Sequence, residues 1–151
     1  MCIRDRNNSY KYLVIEDYET IVNQLIEAKQ EFSEDIPPFH TRYEGKLESI
    51  IAQVQAEYFG EELYKTLEEK ASILFYLITK NHPLLNGNKR VAVMAYFVFL
   101  AMNSEELYFD EETIQNELYE IATITAASFP DEKDEVLEML NVKTRQYLHF
   151  K

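Results

Sequence analysis

The sequence predicts an all-α fold of about six helices with a small β element. Apolar residues recur at the spacing of one helix face in several stretches, which polar or proline-containing segments separate. Two further stretches, 71–78 and 91–102, are apolar all round the helix, a pattern typical of helices buried in a core. A chain of 151 residues is long enough to bury such a core as one domain.

The chain is predicted to open with an extended stretch followed by a helix. Residues 1–9 fit no element, and we expect them to be disordered or foreign to the natural start, with a single domain over 10–151. Residues 10–15 are β-prone. Glu16 and Asp17 can then cap a helix that carries an apolar stripe.

A loop over 33–45 is expected next, because the proline pair at 37–38 cannot lie inside a helix. Within this loop, 39–43 is short and β-prone. Apolar residues at helical spacing then predict a helix through 47–54.

The second half of the chain is predicted to hold the remaining helices. The first core helix covers 61–81, and the second runs from Gly87 or Asn88 to 103. Asp110 can cap the next helix, and Pro130-Asp131 opens the last one.

The composition excludes several classes of function. A formal net charge of −12 argues against nucleic acid as a partner, because such proteins usually carry a basic footprint. The one cysteine, Cys2, cannot form an internal disulfide, so we expect a cytoplasmic protein. We also expect no signal peptide and no membrane partner, because the longest apolar run, 91–102, is too short to span a bilayer.

Acidic residues are absent from the region that contains the two core helices. The chain carries 27 Asp and Glu residues, so a window the size of 70–104 would hold about six, yet it holds none. The window does contain Lys70, Lys80, Lys89 and Arg90. An acid-free, weakly basic patch in an acidic protein indicates a site for an anion.

The stretch 82–90, which reads His-Pro-Leu-Leu-Asn-Gly-Asn-Lys-Arg, joins the two core helices. Free backbone N–H groups at the start of the second helix favour phosphate, and Gly87 allows close approach of the backbone. Lys89 and Arg90 can add charge-assisted hydrogen bonds, and His82 is suited to act as a general base at neutral pH. The alternative is a structural turn with a histidine that serves packing alone.

This stretch resembles the signature of the Fic/Doc family, which reads His, any residue, Phe, any residue, Asp or Glu, Gly or Ala, Asn, Gly or Lys, and Arg. It is most similar to the Doc branch, the death-on-curing toxins of bacterial toxin–antitoxin pairs. Lys89 stands where adenylyl-transferring Fic enzymes carry Gly, and Val93 stands where they often add a second Arg. The similarity extends over about 43–103 and implies a compact helical Fic fold. It makes 39–43 a candidate for the flap that pairs with an extended target segment, with an ordinary surface loop as the alternative.

The resemblance implies a kinase-type enzyme that transfers the γ-phosphate of ATP. His82 is expected to take the proton of a target hydroxyl, while Lys89 and Arg90 stabilise the transferring group. In the Doc branch the target is elongation factor Tu, and the transfer stops translation. The implied nucleotide-binding residues are Asn86, Gly87, Asn88, Lys89 and Arg90.

Two positions depart from the family pattern. Leu84 replaces the usual Phe, and Asn86 replaces the acid that holds the Mg²⁺ bridging the phosphates. Asn86 is therefore the expected metal position, although an amide lacks the charge that Mg²⁺ prefers. Two alternatives stay open, which are AMP transfer as in the Fic enzymes and a Doc-like module that binds without transferring anything.

The resemblance also bears on regulation. Fic-type proteins are commonly silenced by a helix with Ser or Thr, three further residues, then Glu and Gly or Asn, whose Glu pairs with the motif Arg. Thr113 and Glu117 have this spacing, but Leu118 follows them. We therefore expect inhibition in trans by a small antitoxin protein whose Glu reaches Arg90.

Overall fold

The computed structural model describes residues 10–28 and 35–149, and it confirms the all-α prediction. In these ranges the chain forms six α-helices, α1 Ile15–Glu27, α2 Lys46–Val54, α3 Leu67–Asn81, α4 Asn88–Asn103, α5 Glu111–Ala127 and α6 Lys133–His149. It also forms an antiparallel hairpin of β1 Glu57–Tyr58 and β2 Glu61–Glu62, with 3₁₀ turns at Phe39–Thr41 and Pro130–Glu132. The expectation about residues 1–9 lies outside the described part of the chain.

The α3 helix lies at the centre of the domain and packs against α2, α4, α5 and α6. Its residues 71–79 are all buried, as the all-round apolar pattern predicts. Phe75 meets Tyr96 of α4 in an edge-to-face contact with ring centroids 5.8 Å apart. Because each buried large apolar side chain contributes about 1.5–3 kcal/mol, α3 and α4 form a rigid frame for the loop between them.

The α3 helix begins at Leu67, so the predicted start at 61 is wrong. A reciprocal cap sets this start, because the Thr66 hydroxyl accepts from the Glu69 N–H at 3.1 Å and the Glu69 carboxylate accepts from the Thr66 N–H at 3.2 Å. The residues before the cap form the hairpin. Its turn residues Phe59 and Gly60 both have positive φ, as two-residue hairpin turns require.

The two β-prone stretches are not strands. Near the start of the domain, the Lys11 N–H and C=O groups bond to the side-chain amide of Asn103 at 2.8 and 2.9 Å, so an amide takes the place of a neighbouring strand. The stretch 39–43 contains a 3₁₀ turn instead, because the Thr41 N–H donates to the Pro38 carbonyl at 3.0 Å. The small β element therefore lies in the hairpin, away from the predicted flap.

The later helices follow the predicted signals. The α4 helix begins at Asn88, and the Asp110 carboxylate caps α5 by accepting from the Thr113 N–H at 2.7 Å. Pro130 opens a separate 3₁₀ turn, and α6 begins after it at Lys133. Among the described residues, no helix combines the length and the apolar character that crossing a bilayer requires.

Lys70 does not contribute to the basic surface that the acid-free window predicts. Its side chain is 0% exposed, and its Nζ donates to the Tyr64 carbonyl at 2.6 Å and lies 3.5 Å from the Glu62 carboxylate. Lys70 therefore fastens the hairpin to the start of α3. The Lys80 Nζ likewise donates to the Ala126 and Ser128 carbonyls, so the cations at the start of α4 are Lys89 and Arg90.

Candidate active site

His82 is the C-terminal cap of α3 and has left-handed backbone, with φ 52° and ψ 65°. Asparagine, aspartate and histidine adopt this conformation more often than other residues with a side chain, and a left-handed residue commonly ends a helix. His82 is exposed, and an open groove of about 390 Å³ lies beside it, lined by Lys46, Ser49, Lys80, Asn81 and His82 itself. The imidazole is therefore accessible to an incoming hydroxyl group.

Asn88 organises the loop between α3 and α4 with its side chain. Its Oδ1 accepts from the Leu84 N–H and its Nδ2 donates to the Leu84 carbonyl, both at 2.9 Å. Leu84 is 3% exposed, so it anchors the loop in the core as the Phe of the family pattern would. The Asn88 side chain is thus committed to loop structure, which leaves its backbone N–H as the group that it can offer to a ligand.

Gly87 occupies a position where no other residue fits without strain. Its φ is +81°, and a Cβ atom added to it would lie 2.8 Å from Cγ1 of Ile36. Its N–H donates to Oδ1 of Asn86 at 2.9 Å. Because this N–H is engaged, the amides that α4 can present to a phosphate begin at Asn88 and do not include that of Gly87.

The N-terminus of α4 has the features of an anion site. Gly87, its N-cap, makes no side-chain capping bond, and the first turn of α4 contains no acidic residue. By contrast, Thr66 caps α3 and Asp110 caps α5, each through its own side chain. The first N–H groups of α4 and the helix dipole therefore favour a negatively charged ligand.

Tyr119 of α5 supports both cations of the motif. The Arg90 Cζ lies 4.1 Å from the centroid of the Tyr119 ring, and the Lys89 Nζ lies 5.8 Å from it. The face of a tyrosine ring attracts both a guanidinium and an ammonium group. Tyr119 thus holds Lys89 and Arg90 at the start of α4.

The sequence alone does not reveal every residue of this site. Tyr119 reads as one more tyrosine of a helical stripe, and Lys46 reads as an ordinary surface cation. Lys46 donates to the Asn81 carbonyl at 3.0 Å, and Lys80 donates to the Ser128 carbonyl at 2.6 Å. These contacts join distant parts of the chain, so no local pattern could have indicated them.

Comparison with known proteins identifies the family. A model of the Fic/DOC family matches residues 12–100, which is more than half of the chain. The chain belongs to the Fic/DOC family. It is also 36% identical over 81 residues to the curated protein Toxin Doc of Mycolicibacterium smegmatis, which supports the Doc branch. That alignment covers 52% of this chain and 62% of the relative, so the chain spans less than two thirds of the relative's length. No solved structure matches.

The residues around Asn86 do not fit an Mg²⁺ ion held by the protein. Oδ1 of Asn86 already accepts the N–H of Gly87, and an amide brings no charge to a hard cation. Within the described ranges, no group of three or more His, Cys, Asp or Glu side chains is arranged to hold a metal. Asn86 thus braces the loop through Gly87, and its oxygen has one further lone pair but no charge to offer a metal ion.

Glu117 is engaged in the interface between α5 and α6. Its Oε1 accepts from the Tyr147 hydroxyl at 2.7 Å and from the Lys143 Nζ at 3.2 Å. The hydrogen bond from Tyr147, and with it the ammonium of Lys143, holds the pKa of the Glu117 carboxyl below its usual range. Glu117 is thus used in packing, and it does not serve as the inhibitory Glu that its spacing from Thr113 could suggest.

Proposed function

We propose that this protein is a Doc-like toxin that transfers the γ-phosphate of ATP to a hydroxyl group of a target protein. We propose elongation factor Tu as that target. The observation that carries the proposal is the arrangement of one short loop. A histidine ends α3 on one side of the loop, and an uncapped helix N-terminus with Lys89 and Arg90 begins α4 on the other. A residue suited to act as a general base and a helix start suited to phosphate thus lie at the ends of two rigid core helices, which supports the proposal.

The transfer follows from these groups. A ring nitrogen of His82 takes the proton of the target hydroxyl, whose oxygen forms a bond to the γ-phosphorus of ATP. The bond between this phosphorus and the bridging oxygen breaks, and ADP leaves with the electron pair. The N–H groups from Asn88 onward, together with Lys89 and Arg90, stabilise the negative charge and fix the transferring group, which is where most of the catalysis of phosphoryl transfer lies.

Lys89 supports transfer of the γ-phosphate over transfer of AMP. In AMP transfer the β- and γ-phosphates leave together, and they need space beside the start of α4. A lysine side chain at this position narrows the space that a glycine would leave open for them. It also adds a cation, which Tyr119 helps to hold, at the start of α4. Mg²⁺ enters this proposal as a companion of ATP, with the nucleotide oxygens as its main ligands.

A second candidate function is a Doc-like module that binds an antitoxin or a nucleotide and transfers nothing. Asn86 favours it, because the neutral amide stands where the family pattern has an acid. Both candidates include a small antitoxin protein as a partner in trans. The proposed target would place the activity in the cytoplasm.

Labelled ATP distinguishes these functions. The protein is mixed with purified elongation factor Tu or a bacterial lysate and with ATP labelled on the γ-phosphate or, in parallel, on the α-phosphate. The proposal expects a labelled protein band with the γ-label alone and no band with the His82→Ala variant. A band with the α-label would establish AMP transfer, and no band with either label at any metal concentration would favour the binding module.

A further inference from the structure

The segment 36–46 runs alongside the loop 82–90 and makes three contacts with this loop and with the end of α3, which precedes it. The Lys46 Nζ donates to the Asn81 carbonyl at 3.0 Å. The Tyr43 N–H donates to the Pro83 carbonyl at 2.9 Å. Ile36 covers Gly87 so closely that a Cβ atom there would lie 2.8 Å from its side chain.

Two of these contacts bracket His82. Asn81 directly precedes His82 and Pro83 directly follows it, and both carbonyls are held by the same short stretch of chain. His82 itself has left-handed backbone, as the residue that ends a helix often does. The backbone from which the imidazole projects is therefore held on both sides, through hydrogen bonds to the two neighbours of His82.

We propose that Lys46 is a positioning residue for His82. Its ammonium group holds the last turn of α3 through the hydrogen bond to the Asn81 carbonyl. The same Nζ lies 4.7 Å from the centroid of the Tyr43 ring, and this cation–π contact helps to keep the ammonium group in place. Lys46 thus links its own hydrogen bond to Asn81, before His82, with the hydrogen bond from the Tyr43 N–H to Pro83, after His82. This role rests on the proposed transfer, in which His82 is the base.

The positioning role makes a specific kinetic prediction. With γ-labelled ATP and purified elongation factor Tu, Lys46→Met should lower kcat by about ten- to a hundred-fold, because small displacements of a catalytic group have effects of this size. The KM for ATP should stay within about two-fold, because the phosphate site begins at Asn88 on the other helix. Lys46→Arg, which restores a cationic donor, should recover most of kcat.

Lys65→Met is the matched control, because Lys65 is an exposed lysine whose Nζ pairs with Glu61 in the hairpin. Its kcat should equal that of the parent. An equal fall of kcat in Lys65→Met, or a Lys46→Met variant that raises KM for ATP and leaves kcat unchanged, would overturn the positioning role.

A second measurement does not depend on transfer. Hydrogen exchange of the Tyr43 amide, which donates to Pro83, reports directly on one of the two hydrogen bonds that flank His82. Lys46→Met should speed this exchange about ten-fold or more, with exchange in the centre of α3 unchanged, and Lys46→Arg should restore it. Unchanged exchange in Lys46→Met would refute the inference. If the parent transfers no label, the proposed function fails. The exchange of the Tyr43 amide then decides alone whether Lys46 holds the backbone around His82.

Discussion

At the scale of single residues, His82 carries the sharpest expectation. We expect His82→Ala to abolish both transfer and growth arrest, because the base is lost while the exposed side chain contributes little to packing. His82→Asn is the matched variant, since asparagine tolerates the left-handed backbone found at this position. Growth after induction, label transfer and thermal unfolding measure the effect. Continued growth arrest by either folded variant would rule out His82 as the base.

Tyr119 is expected to act through the two cations that it supports. Tyr119→Leu should raise the KM for ATP about three- to ten-fold, because a cation–π contact contributes about 0.5–2 kcal/mol. Tyr119→Phe keeps the ring and should stay close to the parent. Titration of ATP against the rate of label transfer measures both. A loss in Tyr119→Phe equal to that in Tyr119→Leu would assign the effect to the hydroxyl group and contradict the stacking role.

Asn86 gives a prediction about metal requirement. Asn86→Asp should lower the Mg²⁺ concentration needed for half-maximal transfer, because a carboxylate restores a charged ligand next to the phosphates. Titration of Mg²⁺ against the transfer rate compares the two forms. Equal midpoints, or an inactive Asp variant beside an active parent, would show that position 86 does not contact the metal.

At the scale of elements, the loop between α3 and α4 depends on Asn88. Asn88→Ala would leave the buried N–H and C=O groups of Leu84 without their partners. We expect a loss of roughly 2 kcal/mol in the free energy of unfolding and a Tm lower by about 5 °C. Asn116→Ala, at an exposed position on α5, is the control and should change the Tm little. An unchanged Tm in Asn88→Ala would mean that water or a rearranged loop satisfies Leu84.

Elements whose signals are local could be predicted from the sequence. The all-round apolar pattern gave α3 and α4, and Asp110 gave the start of α5. The start of α3 was missed although Thr66 and Glu69 form a readable capping box, because the apolar pattern was extended upstream through the hairpin. The stretch 39–43 was missed because its β-propensity competes with a proline that favours a local turn.

The residues of the candidate site also fall into those that local sequence signals predict and those that they do not. The loop 82–90 carries its own chemistry in consecutive residues, so His82, Lys89 and Arg90 stand out in the sequence. Tyr119 and Lys46 reach the loop only through the packing of α5 and of the start of α2. No periodicity or motif encodes such contacts, which depend on how helices pack against each other.

At the scale of the whole molecule, an acidic chain places two half-buried cations, Lys89 and Arg90, where an anion is expected to bind. The net charge is −12, yet the first turn of α4, which begins at Asn88, contains no acidic residue and carries Lys89 and Arg90. The burial of Lys70 removes one cation from the predicted patch. The two cations at the start of α4 therefore offset part of the repulsion that the acidic surface exerts on an approaching anion such as ATP.

Glu117 links stability to pH. Its pKa is lowered in the folded protein, so its contribution to stability is complete above its unfolded pKa and is lost as pH falls through the folded value. Glu117→Gln should therefore be less stable than the parent at pH 7, and the difference should shrink as the pH is lowered below about 4.5. Urea unfolding at pH 7, 5, 4 and 3 measures this, with the exposed Glu120→Gln as the control. A difference that stays constant with pH would exclude the ionised carboxylate as its source.

The close fit of Ile36 over Gly87 restricts the evolution of this motif. The family pattern admits alanine at the position of Gly87, but here a Cβ atom would collide with Ile36 and would have to adopt a φ of +81°. A lineage that carries Ile36 therefore cannot reach the alanine form by one substitution without strain. A smaller residue at position 36 removes the collision but leaves the strain of the positive φ, so the turn at position 87 has to change as well before alanine fits. Among descendants of this protein, we expect positions 36 and 87 to change as a pair although they lie far apart in the chain.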